Sequence, residues 1–241
     1  MSQILSEEAK LRAEIERLNQ ALEQSQAELK DFIYIASHDL NAPIRGISNY
    51  AQFIVEDYQD LLPEEGQMFL KRIEILSNHL GDMIQDLVNL SRMGQLEHSS
   101  EEADFDQIAH DLAQESRSGT LAIEGSLGRF RIHPKAARSI LEQLIDNGLT
   151  FNRSDQPTVT VKWDGELQGM LLQDNGIGIK SEHQADIFNP FRSLNTEDAF
   201  GKTTGLGLTL VKKLLDNAGG SIQVDSAPDL GTRMTIKLPS V

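Results

Sequence analysis

Apolar side chains in the N-terminal part of the chain recur in steps that alternate four and three. The series is Ile4, Leu11, Ile15, Leu18, Leu22, Leu29, Phe32 and Ala36, with Glu8 and Ser25 filling two of its slots. A 3.5-residue repeat keeps one seam turned toward a partner helix, so residues 1–32 are expected to form a parallel coiled coil running on into a helical bundle. A single long surface helix is the other reading of that period. The helix is expected to reach about Tyr58, where Gln59-Asp60-Leu61-Leu62-Pro63 supplies a break and Pro63 suits a first helical turn. A second series, Phe69, Ile73, Leu76, Leu80, Met83, Leu87 and Leu90, has the same alternation. Residues 33–96 are therefore expected to form an antiparallel helical hairpin, two copies of which make a dimeric four-helix bundle. The period is lost between residues 94 and 102, around Ser99-Ser100-Glu101-Glu102, which places a linker at 97–104.

From 105 to 241 the pattern changes to mixed helix and strand. Residues 136–149 carry a helical period with Leu141, Leu144 and Ile145 on one face. Residues 158–163 and 168–173 flank Asp164-Gly165, a hairpin-type turn dipeptide. Residues 208–217 read as a helix closed by Gly219-Gly220, and 221–226 and 232–238 as paired strands joined by 227–231. The expectation is an α/β sandwich of ordinary domain size behind an all-helical region.

Length allows one large domain or two modest ones. With 37 acidic against 22 basic residues, the net charge of -15 disfavours nucleic acid or an anionic membrane as partner, and any phosphate site must be a local exception. The absence of cysteine excludes disulfides, thiolate metal sites and cysteine nucleophiles, and fits a reducing cytoplasm. No apolar run approaches the ~18–20 residues of a membrane span, and Met1-Ser2-Gln3 does not begin a signal peptide. A soluble, cytoplasmic protein is expected.

His38 stands two places after Ala36, on the flank of the apolar stripe, in Ser37-His38-Asp39-Leu40-Asn41-Ala42-Pro43. A neutral imidazole attacks phosphorus through one ring nitrogen while the other holds the proton, and a carboxylate beside it sets that tautomer. Asp39 is adjacent. Pro43 cannot donate to the carbonyl of Asp39, so a bend is expected beside the nucleophile. His79, His98, His110, His133 and His183 read as ordinary surface histidines.

Asn147 follows Gln143 by four residues, so two amides share one side of a helix, and an amide oxygen is a suitable hard ligand for Mg²⁺. A helix-terminal asparagine before Gly148 is the plain alternative. Asp174, ahead of Asn175-Gly176-Ile177-Gly178, could accept from an exocyclic amine such as that of adenine while the glycines admit the ligand; an Asn-Gly turn is the alternative. Gly205 and Gly207 open a helix whose free N–H groups attract phosphate oxygens. Residues 186–204, with Phe188, Phe191, Phe200 and Gly201, show no period and are expected to form a flap over the nucleotide. Arg192 and Lys202 either meet phosphate there or are solvated loop charges.

Read in order, these segments resemble the transmitter core of bacterial two-component sensor histidine kinases over nearly the whole chain. Residues 37–43 are similar to the H box, 143–151 to the N box, 174–179 to the first glycine box, 187–191 to the F box and 204–208 to the second glycine box. Gly231-Thr232 with Lys237-Leu238-Pro239 is similar to the family's last strand. The resemblance implies a homodimeric helical domain bearing the phosphorylated histidine, then a Bergerat-type domain using ATP and Mg²⁺. It also implies phosphoryl relay to an aspartate of a response regulator receiver domain, and input through residues 4–32 from an upstream sensor domain or partner. Carried over residue by residue, His38 accepts the γ-phosphoryl, Asp39 orients it or acts as base, Asn147 holds Mg²⁺ and Asp174 reads adenine. Gly176, Gly178, Thr204, Gly205, Leu206, Gly207 and Thr232 shape the pocket.

The chain departs from the family's pattern at Thr150, Thr203 and Ala42; the last stands where phosphatase-competent members often carry Thr or Asn, so weak phosphatase activity toward the regulator is expected. Thr150 stands where the N box usually carries a basic residue, which passes the phosphate charge to Arg153, Arg192 or Lys202. Thr203 replaces the first glycine of the second glycine box. Gln143 stands where related hydrolases place a glutamate to activate water, and an amide is no base, so transfer to His38 is expected over hydrolysis. A Bergerat-type ATP hydrolase or clamp, and a catalytically weak dimeric phosphorelay scaffold, are the competing readings.

Overall fold

The 3.5-residue period is expressed as one unbroken helix, α1 (Ser2–Tyr58), whose 57 residues at about 1.5 Å each span roughly 85 Å. The structure, a computed structural model, describes residues 2–93, 101–115, 118–192 and 203–239. Pro43 lies inside α1 without ending it. A single 3₁₀ turn at Gln59–Leu61 closes the helix, and α2 (Glu64–Met93) starts directly after Pro63. Glu64 and Glu65 in its first turn and Arg92 in its last both complement the helix dipole. The chain divides into two compact units, Met1–Ser91 and Arg92–Val241.

Among the described residues of the helical unit the buried side chains are Ser37, Ile44 and Ala51 on α1 and Ser77 and Ile84 on α2, each set in steps of seven. Within one chain Met83, Leu87 and Leu90 of the second apolar series are half-buried. Ser77 and Ile84, each one place beyond Leu76 and Met83, are buried, while Phe69, Ile73, Leu76 and Leu80 stay exposed. A helix with one neighbour buries only a narrow strip, so the wider apolar stripe is left uncovered. The same holds on α1, where Leu11, Ile15, Leu18 and Leu22 are 53–60% exposed. Among the described residues no helix is long and apolar enough to cross a membrane.

The second unit is built on a five-stranded mixed sheet in the order β2-β4-β5-β7-β6. Its strands are β2 (Thr120–Glu124), β4 (Thr158–Asp164), β5 (Gly169–Asp174), β6 (Ser221–Ser226) and β7 (Thr232–Lys237). Among the described residues only the β2–β4 pair is parallel. A small antiparallel ribbon pairs β1 (Glu102–Asp104) with β3 (Arg129–Arg131). Helices α3 (Phe105–Gln114), α4 (Pro134–Thr150) and α5 (Gly207–Asn217) pack with α4 in the middle, touching both others as well as β4 and β5. The core between the layers includes the fully buried Leu112, Ile140, Leu141, Ile145, Val159, Val161, Leu215 and Ile236. Each such side chain contributes about 1.5–3 kcal/mol on burial.

Three details differ from expectation. Residues 102–104, expected to be part of a linker, form β1, because Ala103 is buried and the strand pairs with β3, which follows α3 and β2 in the chain. The four residues between β4 and β5 are 165–168, one place later than the expected 164–167, and the Asp164 carboxylate accepts from the N–H groups of Glu166 and Leu167. The expected flap at 186–204 is described only at 186–192 and 203–204; its remainder, Phe200 and Lys202 included, lies outside the described residues.

Asp106, in the first turn of α3, fastens the segment before β3. Its carboxylate accepts from the Ser126 hydroxyl at 2.7 Å, from Leu127 N–H at 2.8 Å and from Gly128 N–H at 3.1 Å. Burial works against its charge, but these three bonds outweigh burial and hold the carboxyl below its usual range. Asp106→Ala leaves two backbone donors without their acceptor and is expected to cost about 1–3 kcal/mol. Because Asp106 is more acidic in the folded protein, its stabilisation is present above the unfolded carboxylate pKa and is lost as pH falls through the lower folded value. Trp163, the single tryptophan, stacks on Phe130 of β3 with ring centroids 5.5 Å apart. Its fluorescence during urea unfolding of the full chain reports this loss in the second unit alone.

Candidate functional site

His38 sits on an exposed stretch of α1, with 76% of its side chain accessible. Its Nδ1 is 3.1 Å from Asp39 Oδ1. An ionised carboxylate only accepts, so Nδ1 carries the hydrogen and Nε2 keeps its lone pair in the neutral ring. Adjacent helical positions point about 100° apart, so this pairing swings the two side chains toward each other.

In the second unit, a cavity of about 610 Å³ is lined by α4, the segment after β5, the start of α5 and the β6–β7 turn. Gln143, Asp146 and Asn147 of α4 face it, and so do Asp174, Gly178, Arg192, Thr204, Gly205, Gly207 and Thr232. Gly148 explains how α4 comes so near. A Cβ there would stand 2.7 Å from Val159 Cγ2 and 2.9 Å from Asp174 Cβ, so only glycine lets the Asn147 turn lie against β4 and β5. Beyond α4, Phe151 O accepts from Ile177 N–H at 3.0 Å, which joins the helix end to the glycine segment. Gly178, at φ +69, would drive a Cβ into the carbonyl of Ala227 in the β6–β7 turn.

Asp174 Oδ1 accepts from Gly176 N–H at 2.8 Å and from Thr232 N–H at 3.0 Å. Among the described residues Oδ2 has no such partner, which leaves it for a ligand donor. Burial raises the Asp174 carboxyl above the usual range, opposed by the two backbone hydrogen bonds. At the other end, Leu206 N–H is held by Thr204 Oγ1 at 3.3 Å, and α5 begins at Gly207 without a side-chain cap. Its first-turn N–H groups therefore remain available to an anion. The donor set beside it consists of amide oxygens and the Asp146 carboxylate, hard ligands of the kind Mg²⁺ prefers.

Two expected pocket residues do not line the cavity. Gly176 is buried with its Cα against the Phe151 carbonyl, and Leu206 is buried in the core, 1% exposed. Their contribution is to the backbone path. Lys202 lies outside the described residues. Arg192, Arg153 and Lys180 bring positive charge to the cavity wall of a strongly acidic chain. Lys180 and His183 were not legible from sequence; the histidine reads there as a plain surface residue, yet it lines the cavity. Their position directly after the glycine segment was the available signal.

Comparisons with known proteins agree with this division. Residues 28–96 match the family model described as His Kinase A (phospho-acceptor) domain, and residues 132–241 the model described as Histidine kinase-, DNA gyrase B-, and HSP90-like ATPase. The chain is 31% identical over 238 residues to Cyanobacterial phytochrome B of Nostoc sp., covering 95% of this chain and 32% of that protein. It is 29% identical over 248 residues to the aerobic respiration control sensor protein ArcB of Escherichia coli, covering 95% of this chain and 31% of the relative. The chain thus spans about a third of the length of these curated relatives. Full-length ShkA, solved in complex with AMPPNP, shares the fold at a TM-score of 0.53 and 18% identity over 88% of this chain and 47% of that one. A helical unit matched as a phospho-acceptor domain, followed by an ATPase-type unit, shows that the chain belongs to the two-component sensor histidine kinases, as a transmitter core.

Proposed function

We propose that this chain is an ATP-dependent protein histidine kinase that phosphorylates itself on His38 and passes the phosphoryl group to an aspartate of a response regulator receiver domain. One observation supports the reading most directly. The same chain carries an exposed imidazole with Nδ1 engaged by Asp39, and a cavity that gathers Asn147, Asp174 and the open end of α5.

In the proposed step, Nε2 of His38 attacks the γ-phosphorus, the P–N bond forms, and the bond from the γ-phosphorus to the β–γ bridging oxygen breaks to release ADP. The proton on Nδ1 stays shared with Asp39, which stabilises the positive charge growing on the ring. Asp174 accepts from the adenine amine, and the α5 N-terminus with Arg153, Lys180 and Arg192 balances phosphate charge. Asn147 would hold Mg²⁺, which would supply charge neutralisation at the phosphates. Attack requires the two reacting atoms about 3–3.5 Å apart and in line, so positioning supplies much of the rate. In the second step the P–N bond breaks as a receiver carboxylate takes the phosphoryl group. The uncovered stripes of Leu11, Ile15, Leu18 and Leu22 on α1 and of Phe69, Ile73, Leu76 and Leu80 on α2 fit a second copy of the same chain. Use of ATP and the lack of cysteine both fit a cytoplasmic setting for this core, with input entering along α1 from an upstream sensor domain or partner.

Incubation with Mg²⁺ and γ-labelled ATP tests the reading. Label held on the protein through base but released by acid marks a phosphoimidazole. Steady release of free phosphate with no labelled protein would instead make it an ATP hydrolase, and neither signal would make it a scaffold.

A further inference from the structure

The segment after β5 has no strand partner, yet the adenine end of the cavity depends on its path. Two side chains from elsewhere hold it. Ser226, at the end of β6, accepts from Ile179 N–H at 2.8 Å and donates its single hydrogen to Gly231 O at 2.7 Å. Gln184 donates both amide hydrogens, to Ile179 O at 3.1 Å and to Ser226 O at 2.6 Å. Ser226 Oγ also lies 3.0 Å from Thr232 Oγ1. A hydroxyl has one hydrogen to give, and that of Ser226 is already committed to Gly231, so Thr232 is the donor in this pair.

That assignment has a chemical consequence. Thr232 lines the cavity, and its N–H bonds Asp174 Oδ1. With its hydroxyl hydrogen turned to Ser226, Thr232 has only acceptor capacity left for a ligand. Asp174, when ionised, also only accepts. The base end of the cavity therefore offers acceptors, which suit the 6-amino group of adenine and repel the 6-oxo group of hypoxanthine or guanine.

We propose that Ser226 and Gln184 are positioning residues for nucleotide recognition. Together they tether the segment of Gly176 to Ile179 to the β6–β7 turn, and Ser226 commits the Thr232 hydroxyl so that a 6-amino purine is preferred over a 6-oxo purine. The proposal rests on the reading of the cavity as an ATP site.

The test measures displacement of a fluorescent trinitrophenyl-ATP from the full chain by ATP and by ITP, with Trp163 fluorescence reporting that each variant is folded. Ser226→Ala is expected to weaken ATP binding about tenfold and to lower the ATP-over-ITP preference about fivefold, because the freed Thr232 hydroxyl can then donate to a 6-oxo group. Ser226→Thr, which keeps the hydroxyl, is expected to stay within about twofold of the parent in that preference. Gln184→Glu turns two donors into acceptors facing carbonyls and is expected to cost about tenfold in ATP affinity without needing any change at Ser226. Ser226→Ala with an unchanged ATP-over-ITP preference, or an equal loss of preference in Ser226→Thr, overturns the proposal. Should Ser226→Ala fail to fold, Gln184→Glu binding ATP as tightly as the parent overturns it. If the parent chain itself binds no ATP, the reading of the cavity fails and this proposal falls with it; parent binding with unaffected variants removes the proposal alone.

Discussion

His38→Gln is expected to abolish uptake of the γ-phosphoryl group, with base-stable label falling at least about 10³-fold while ATP affinity stays within about twofold. Glutamine keeps a polar side chain of similar reach on an exposed helix face, where substitutions cost little stability. It has no nitrogen lone pair able to form a P–N bond. Asp39→Asn gives a graded companion: an amide beside Nδ1 carries no charge to stabilise the ring, so the labelling rate should fall about 10²-fold, within the usual range for a positioned acid–base group. Filter-bound radioactivity over time, set beside trinitrophenyl-ATP displacement, separates a lost acceptor from a lost donor site. Full labelling of His38→Gln would remove His38 from the reaction.

Asp174→Asn is expected to weaken ATP binding about 10- to 100-fold at pH 7.5, the loss appropriate to a hydrogen bond involving a charged group. Folding should not suffer, because the asparagine oxygen still accepts from Gly176 and Thr232. The pKa direction sharpens this. Burial raises the Asp174 carboxyl in the folded protein, against the two backbone hydrogen bonds that lower it. A group whose folded pKa is raised favours folding in its protonated form, and that contribution is lost as pH rises through the folded value. At neutral pH the ionised Asp174 is therefore a cost to the fold, and the asparagine variant should unfold at equal or higher urea when followed by Trp163 fluorescence. Lowering the pH toward the raised pKa protonates the parent, so both differences, in binding and in stability, should shrink together. A variant that binds ATP like the parent at pH 7.5 would exclude Asp174 from base recognition.

The two tests probe parts of the site that were legible in different degrees. His38 and Asp39 are neighbours in the chain, and a helix brings neighbours into reach whatever the rest of the protein does, so their pairing could be read directly. The glycine segment and the opening of α5 were legible as backbone features for the same local reason. Ser226 and Gln184 carried no such signal. Their importance comes from what lies opposite them: Ser226 meets an N–H 47 residues away, and Gln184 reaches a carbonyl 42 residues away. Strands β1, β2 and β3 leave no clear pattern in the sequence because each is five residues or shorter, and their partners lie far along the chain.

The helical unit shows the same boundary. Periodicity alone determined that residues 2–58 and 64–93 are helices with apolar stripes, since a repeat of side chains along one segment needs no partner to exist. Which positions are covered within one chain, Ser77 and Ile84 rather than Leu76 and Leu80, depended on the approach of a neighbouring segment. In the second unit, sequence determined that Asp174 precedes a glycine turn. Only the tertiary structure decided that Thr232, 58 residues later, donates to it and that Ser226 takes the Thr232 hydroxyl hydrogen. Local geometry follows from the covalent chain, whereas a hydrogen bond between distant segments exists only once the sheet has set β5, β6 and β7 side by side.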